Sequence, residues 1–187
     1  MTLGENKKMA LALIEEYSPA NQYLTDDEDI KNRINLVYFP NYQFLSEKKP
    51  IIKTKTLVVN ENESGRLESN MPGDCRQLRK IVGLNSDNEE IKVEYSIVGR
   101  KIYLAKKEGK YIVEYYAYPV IIDENTSDDF YLEIDQDAQG VLVYMVANDI
   151  LKVDPSSDYT AFLGEYQRRI QDFDPRKTLP SAVVVEE

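Results

Sequence analysis

DFYLEIDQDAQGVLVYMVANDILKVDPSSDYTAFLGEYQRRIQDF, residues 129–173, decides the fold. The corner Asp154-Pro155-Ser156-Ser157 divides it into two helices. An aspartate there accepts backbone N–H bonds at a helix start, and a proline in the first helical position gives up no intrahelical bond. After the corner, Tyr159, Phe162, Leu163, Tyr166, Ile170 and Phe173 recur at spacings of three and four, which makes one apolar stripe. Before it, Ile134, Ala138, Val141, Leu142, Met145, Val146, Ile150 and Leu151 occupy more than one face. That pattern predicts a central, buried helix, and both stripes read as core packing, with Phe162 lying buried against the helix of Met145.

Upstream, Asn6 to Tyr17 has a helical pattern, with Ala10, Leu13, Ile14 and Tyr17 on one face and Ser18-Pro19 as its stop. Thr25-Asp26-Asp27-Glu28 is a capping-box sequence that opens a second helix carrying Ile30, Ile34, Val37 and Tyr38. Pro40 is expected to bend or stop that helix, with a further turn at Phe44 and Leu45. The character changes at Pro50. Ile51 to Val59 reads as a strand, Arg76 to Leu84 as another, and Ile91 to Ile97 as a half-buried strand alternating apolar and polar residues. Pro72-Gly73 suits a type II turn and Gly99-Arg100 a tight hairpin with its return at Ile102 to Leu104. Tyr111, Val113, Tyr115 and Ala117 alternate up to Pro119. The strands read as an antiparallel meander.

Helices separated from strands along the chain indicate α+β. The predicted architecture is a four-helix core from the N- and C-terminal segments, an inserted antiparallel β meander and an extended C-terminal arm. Residues 1–49 and 123–173 form the core, 50–122 the insertion and 174–187 the arm.

Composition limits the function. The net charge of −10 argues against a protein that grips nucleic acid through its phosphates. It suits a surface that DNA passes without adhering. No apolar run approaches the roughly 20 residues needed to span a bilayer, and the N-terminus has no signal-peptide pattern. The single Cys75 excludes a disulfide framework and a thiolate metal site. With no histidine, the commonest general base and metal ligand is missing. The acidic run Asp123-Glu124-Asn125-Thr126-Ser127-Asp128-Asp129 is not a calcium loop, because Asp128 and Ile134 stand where a glycine and a bidentate glutamate are required. Asp135 and Asp137, two apart on a helix, are expected to point to different faces and not to clamp one ion. There is no Gly-rich phosphate loop, and no local nucleophile–base pair can be built with histidine; carboxylate pairs that meet only in three dimensions stay open. The expectation is a protein with no catalytic residue, no metal and no cofactor.

Tyr115, Tyr116 and Tyr118 place aromatics on both faces of the last strand. One face is expected to meet the helices and the other a neighbouring subunit, where tyrosine is favoured.

Met71-Pro72-Gly73-Asp74-Cys75-Arg76-Gln77-Leu78-Arg79-Lys80-Ile81, the hairpin Ile97-Val98-Gly99-Arg100-Lys101-Ile102-Tyr103-Leu104, and Tyr111-Ile112-Val113-Glu114-Tyr115-Tyr116-Ala117-Tyr118-Pro119 come in this order before an acidic loop and a long helix containing Ala147. The order resembles the head–tail connector (adaptor) proteins of tailed bacteriophages, of the tail-tube type, from the first helix to about Phe173. Met71 departs from the family's commoner leucine, and Gly73 is added turn chemistry. The resemblance implies a virion structural protein in the phage neck, assembled in the host cytoplasm. It implies a ring of about twelve identical subunits between the portal and downstream tail or nozzle proteins, with DNA passing through the lumen. A cytoplasmic α+β binding module, or a small enzyme working through carboxylates, is the other class open to such a sequence.

The last residues complete the expectation. Asp174-Pro175 ends the final helix, and Ser181-Ala182-Val183-Val184-Val185 has strand composition with nothing after it to form a hairpin. Arg176, Lys177, Leu179, Val183, Val184 and Val185 are the expected contacts of an arm added to the portal or a neighbour.

Overall fold

The computed structural model describes residues 1–15, 28–61, 67–85, 89–105, 109–153 and 158–173. Among them the order of elements is α1 (Leu3–Leu13), α2 (Glu28–Lys48), β1 (Ile51–Glu61), β2 (Leu67–Asn70), β3 (Cys75–Leu84), β4 (Glu90–Lys92), β5 (Tyr95–Val98), β6 (Lys101–Leu104), β7 (Gly109–Ala117), α3 (Gln136–Leu151) and α4 (Thr160–Gln171). The chain falls into two units. The first joins Met1–Ile51 to the chain from Pro119 and holds the helices; the second, Ile52–Tyr118, holds the strands.

In the first unit, α1 starts earlier than its apolar pattern predicts. Thr2-Leu3-Gly4-Glu5 is itself a capping box: the Glu5 N–H donates to Thr2 Oγ1 at 3.2 Å, and the Thr2 N–H donates to Glu5 Oε2 at 2.8 Å. The next N–H groups, of Leu3 and Gly4, donate to the carbonyls of Phe130 (2.7 Å) and Asp128 (2.9 Å). That approach needs Gly4, since a Cβ there would lie 2.7 Å from Asp128 Cβ. The helix ends at Leu13, short of Tyr17, and Glu15 takes a φ of 63°. The stop expected at Ser18-Pro19 and residues 25–27 of the expected capping box lie outside the described residues.

Helix α2 does not stop at Pro40 but runs through it to Lys48. The proline lies on the exposed side, where water can reach the carbonyl that loses its bond. Within that turn, Asn41 Nδ2 donates to the Val37 carbonyl at 2.9 Å. The buried stripe therefore continues past the proline: Ile34, Tyr38, Tyr42 and Leu45.

Helix α3 is buried on most of its circumference, as its composition predicts, and α1, α2 and α4 each pack on it. The four-helix core does not form, however. No residue of α4 is buried, and Tyr159, Phe162, Leu163, Tyr166, Ile170 and Phe173 are all half-exposed, although Met145 on α3 is buried. The core is made by α1, α2 and α3 with Ile122, Leu132 and Ile134 of the intervening chain. The physical reason is the makeup of α4. Two of its stripe residues are tyrosines, which keep a polar tip in water, and charged Glu165 and Arg169 share its contact side. The Asp154–Ser157 corner lies outside the described residues.

The strands are not a meander either. Their order is β4-β3-β7-β1-β2-β6-β5, laid out as two antiparallel sheets, β4-β3-β7 and β1-β2-β6-β5. The longest pairing joins β3 to β7, with Ile81 opposite Val113 and Gly83 opposite Tyr111. The alternation expected in β7 is present: Tyr111, Val113, Tyr115 and Ala117 are buried. The strand expected over Ile91 to Ile97 breaks at Val93-Glu94. Its halves go to opposite ends of the order, because β4 pairs with β3 and β5 with β6, and both are exposed along their length. The turn after Met71 also differs. The Cys75 N–H donates to the Pro72 carbonyl at 3.0 Å, so Gly73 and Asp74 are its central residues. Gly73 does not take the positive φ that a type II turn with Pro72 first would require.

A buried polar bridge joins the three core helices. Tyr38 Oη donates to Asn6 Oδ1 at 2.9 Å, and Asn6 Nδ2 donates to the Gln139 carbonyl at 2.9 Å. Burial pushes the Tyr38 phenol well above its ordinary pKa, helped by the nearby Tyr42, so it stays a donor. Tyr38→Phe should lower unfolding free energy by about 1–3 kcal/mol, because it strands a buried acceptor. Combined with Asn6→Leu, the loss in urea melts should be smaller than the sum of the two single losses.

Candidate functional site

The hairpin β5–β6 turns through Gly99-Arg100, with Gly99 at φ 61° in the first central position, where a type II′ turn places glycine. The turn is clamped. The Met71 N–H donates to the Arg100 carbonyl at 2.9 Å, and Arg100 Nη2 donates to the carbonyls of Pro72 (2.7 Å) and Gly73 (3.1 Å). The Ala105 N–H donates to the Glu94 carbonyl at 3.1 Å. Bonded and non-bonded pairs alternate along an antiparallel ladder. Ser96/Tyr103 and Val98/Lys101 are therefore bonded pairs, and the N–H and C=O groups of Tyr95 and Ile97 point away from β6.

The same register fixes the faces. Ile97 lies opposite Ile102 and Tyr95 opposite Leu104, and Ile102 and Leu104 are buried. The apolar face of this sheet thus extends onto β5, where it emerges: Tyr95 is 40%, Ile97 44% and, on the other face, Val98 65% exposed. A depression of about 280 Å³ beside it is lined by Glu94, Tyr95, Ser96, Tyr103, Leu104 and Ala105. The edge at the other end, β4, is built differently. It is three residues long, and Glu90 forms an ion pair with Lys80 at 2.6 Å. Short length and charge guard an edge against pairing; β5 carries no charge.

The first unit also leaves apolar side chains uncovered, among them Val120, Ile121 and Tyr131. A groove of about 380 Å³ in that unit runs between α3 and α4, lined by Asp137, Gly140, Arg168, Arg169, Asp172 and Phe173 among others. Its charges are paired. Lys49 Nζ meets Asp135 at 3.0 Å and also Asp137, and it lies 5.5 Å from the Phe173 ring centre. The expectation that Asp135 and Asp137 point to different faces fails because Asp135 precedes the helix, with ψ 156°, and is not bound by helical spacing. Glu165 Oε1 accepts from Arg169 Nε at 2.6 Å and Arg168 Nη2 at 2.9 Å, and the Arg169 guanidinium stacks 4.5 Å from the Tyr144 ring centre. Among the described residues no group of three or more Cys, Asp or Glu could hold a metal ion, and no helix is long and apolar enough to cross a membrane.

The three tyrosines singled out in the sequence are separated. Tyr115 is buried, its hydroxyl donating to Asp74 Oδ1 at 3.0 Å, while Lys53 Nζ meets Asp74 Oδ2 at 3.1 Å. Tyr116 is half-buried, with the Arg79 guanidinium 5.1 Å from its ring centre. Tyr118 is exposed beyond the end of β7. Arg176, Lys177, Leu179, Val183, Val184 and Val185 lie outside the described residues. The β5 edge went unmarked by alternation alone. Its available signal was the absence of charge in Tyr95-Ser96-Ile97-Val98 between Glu94 and Arg100.

No protein-family model matches this chain, and no curated protein does either.

Hydrogen bonds from Arg168 and Arg169 hold the Glu165 carboxyl down at about 2. A depressed acid contributes stability above its unfolded pKa, near 4.3, and loses it as pH falls through the folded value. Glu165 is on the surface, so salt weakens the effect. Carbon-13 NMR of the carboxyl at pH 3.5 should show it ionised in the folded chain. A protonated carboxyl at that pH would contradict the pairing.

Proposed function

We propose that this chain is a structural subunit of a phage neck: a head–tail adaptor whose copies form a ring between the portal and downstream tail or nozzle proteins. The observation that carries this reading is the uncovered β5 edge in one unit together with exposed apolar side chains, Val120, Ile121 and Tyr131 among them, in the other. A ring of identical subunits uses two different patches on each copy, one meeting the other on the next. Three further points support it. The ordered motifs resemble the adaptor family. The net charge of −10 suits a lumen that DNA crosses without specific binding. The ion pairs of the α3–α4 groove also leave its charged groups engaged with one another, rather than aimed at a substrate.

The test is assembly. Purified chain mixed with portal rings should add a ring of density under the portal in electron micrographs, with acids rather than Lys and Arg facing the channel. Ile121→Asp should leave the melting temperature nearly unchanged, since exposed substitutions fall within about 0.5 kcal/mol, yet reduce ring occupancy at least about tenfold, equivalent to 1.4 kcal/mol of contact. A chain that stays monomeric beside portal, or a ring with a mainly basic lumen, rejects the proposal.

A further inference from the structure

The β5 edge is the end of its sheet, and among the described residues nothing pairs with it. It offers a donor and an acceptor at Tyr95, another set at Ile97, and an apolar face that continues the buried one through Ile102 and Leu104. Such an edge pairs with an extended segment through main-chain bonds, with alternate side chains giving specificity. The occupant must be short, uncharged along about four residues and strand-forming.

The chain beyond α4 contains one such segment. Ser181-Ala182-Val183-Val184-Val185 is uncharged, is followed by Glu186-Glu187, and is preceded by residues 174–180. Those seven residues span up to about 25 Å when extended. Laid parallel to β5 with Ala182 beside Tyr95, the segment sets Val184 beside Ile97 on the apolar face. Val183 and Val185 then fall beside Ser96 and Val98 and turn their N–H groups to the carbonyls of Tyr95 and Ile97. Glu186 and Glu187 reach Gly99 and Arg100. The Arg100 guanidinium is turned to the Pro72 and Gly73 carbonyls, and the Gly99-Arg100 turn carries no carboxylate to repel the two glutamates. The parallel register is favoured because the reverse one would bring the two glutamates to Glu94.

The geometry points to residues 181–185 of a second copy as the strand that occupies the β5 edge. The inference rests on the ring reading in taking a second copy as the donor. It then specifies one of the two surfaces in that contact.

A fluorescein-labelled peptide, Leu179–Glu187, is titrated into the full chain and into a chain ending at Thr178, both near 1 µM. Anisotropy should rise to saturation with both, at affinities within about twofold, and amide exchange should slow at Tyr95 and Ile97. A peptide N-methylated at Val183 and Val185 should bind at least tenfold more weakly. So should wild-type peptide to Ile97→Pro, which removes an outward N–H and no ladder bond. The N-methyl peptide keeps the test valid should that variant not fold. No saturable binding, or protection at Ile91 instead, overturns the inference. So does binding to the shortened chain alone, since the chain's own tail would then fill the edge. If the peptide fails while the full chain still rings the portal, this inference falls and the adaptor reading stands.

Discussion

The carboxamide of Asn6 is the interaction on which the first unit depends. It is fully buried, accepts from Tyr38 on α2 and donates to the carbonyl of Gln139 on α3. Apolar surfaces alone leave helices free to slide, because burial is nearly independent of register. A buried amide with two fixed partners removes that freedom, since a one-turn slip would strand three polar groups in the core. Gln139 extends the constraint, its side chain donating to the carbonyls of Leu132 and Ile134. Asn41 adds a second tie between α2 and α3, donating to Asp149 at 2.8 Å.

These ties explain why α3 can be apolar on so much of its circumference without losing its orientation. Helix α1 is fixed through Asn6, and its first N–H groups are fixed by the chain at Asp128 and Phe130. Helix α2 is fixed through Tyr38, Asn41 and Tyr42, whose hydroxyl accepts from the Glu133 N–H at 3.0 Å. Among the described residues helix α4 has no buried tie of this kind. It is held by Arg169 on Tyr144 and by half-buried aromatics, so its contact is the more exposed and the more exchangeable.

Much of this was legible. Helical spacing located α3 and α4, and the alternation of Tyr111, Val113, Tyr115 and Ala117 assigned the buried face of β7. Gly99-Arg100 marked its hairpin through a glycine that supplies positive φ. What failed were inferences that need neighbours. A stripe of six apolar and aromatic residues on α4 does not say how deeply it packs, because tyrosine satisfies an interior and a surface alike. Pro40 ends a helix only where the lost bond cannot be met by water, and which side faces water is a tertiary fact. The break at Val93-Glu94 falls where one stretch leaves one sheet for the other, and a period-two pattern does not record partners. Thr2-Leu3-Gly4-Glu5 has the spacing of a cap, but the apolar pattern that marks a helix starts only after it. The β5 edge could be seen as a strand but not as an edge, since strand order is not written in alternation.

The division of the chain also has a temporal side. Strands β2 to β7 lie in one continuous stretch, whereas the helical core takes α1 and α2 from before that stretch and α3 from after it. On a ribosome adding about 5–20 residues per second, the first two helices emerge and then wait on the order of 5–20 seconds for the helix that covers Leu3, Tyr38, Tyr42 and Leu45. The nascent chain carries its stickiest surface through that delay. The exposure of that surface therefore lengthens as translation of the strand region slows.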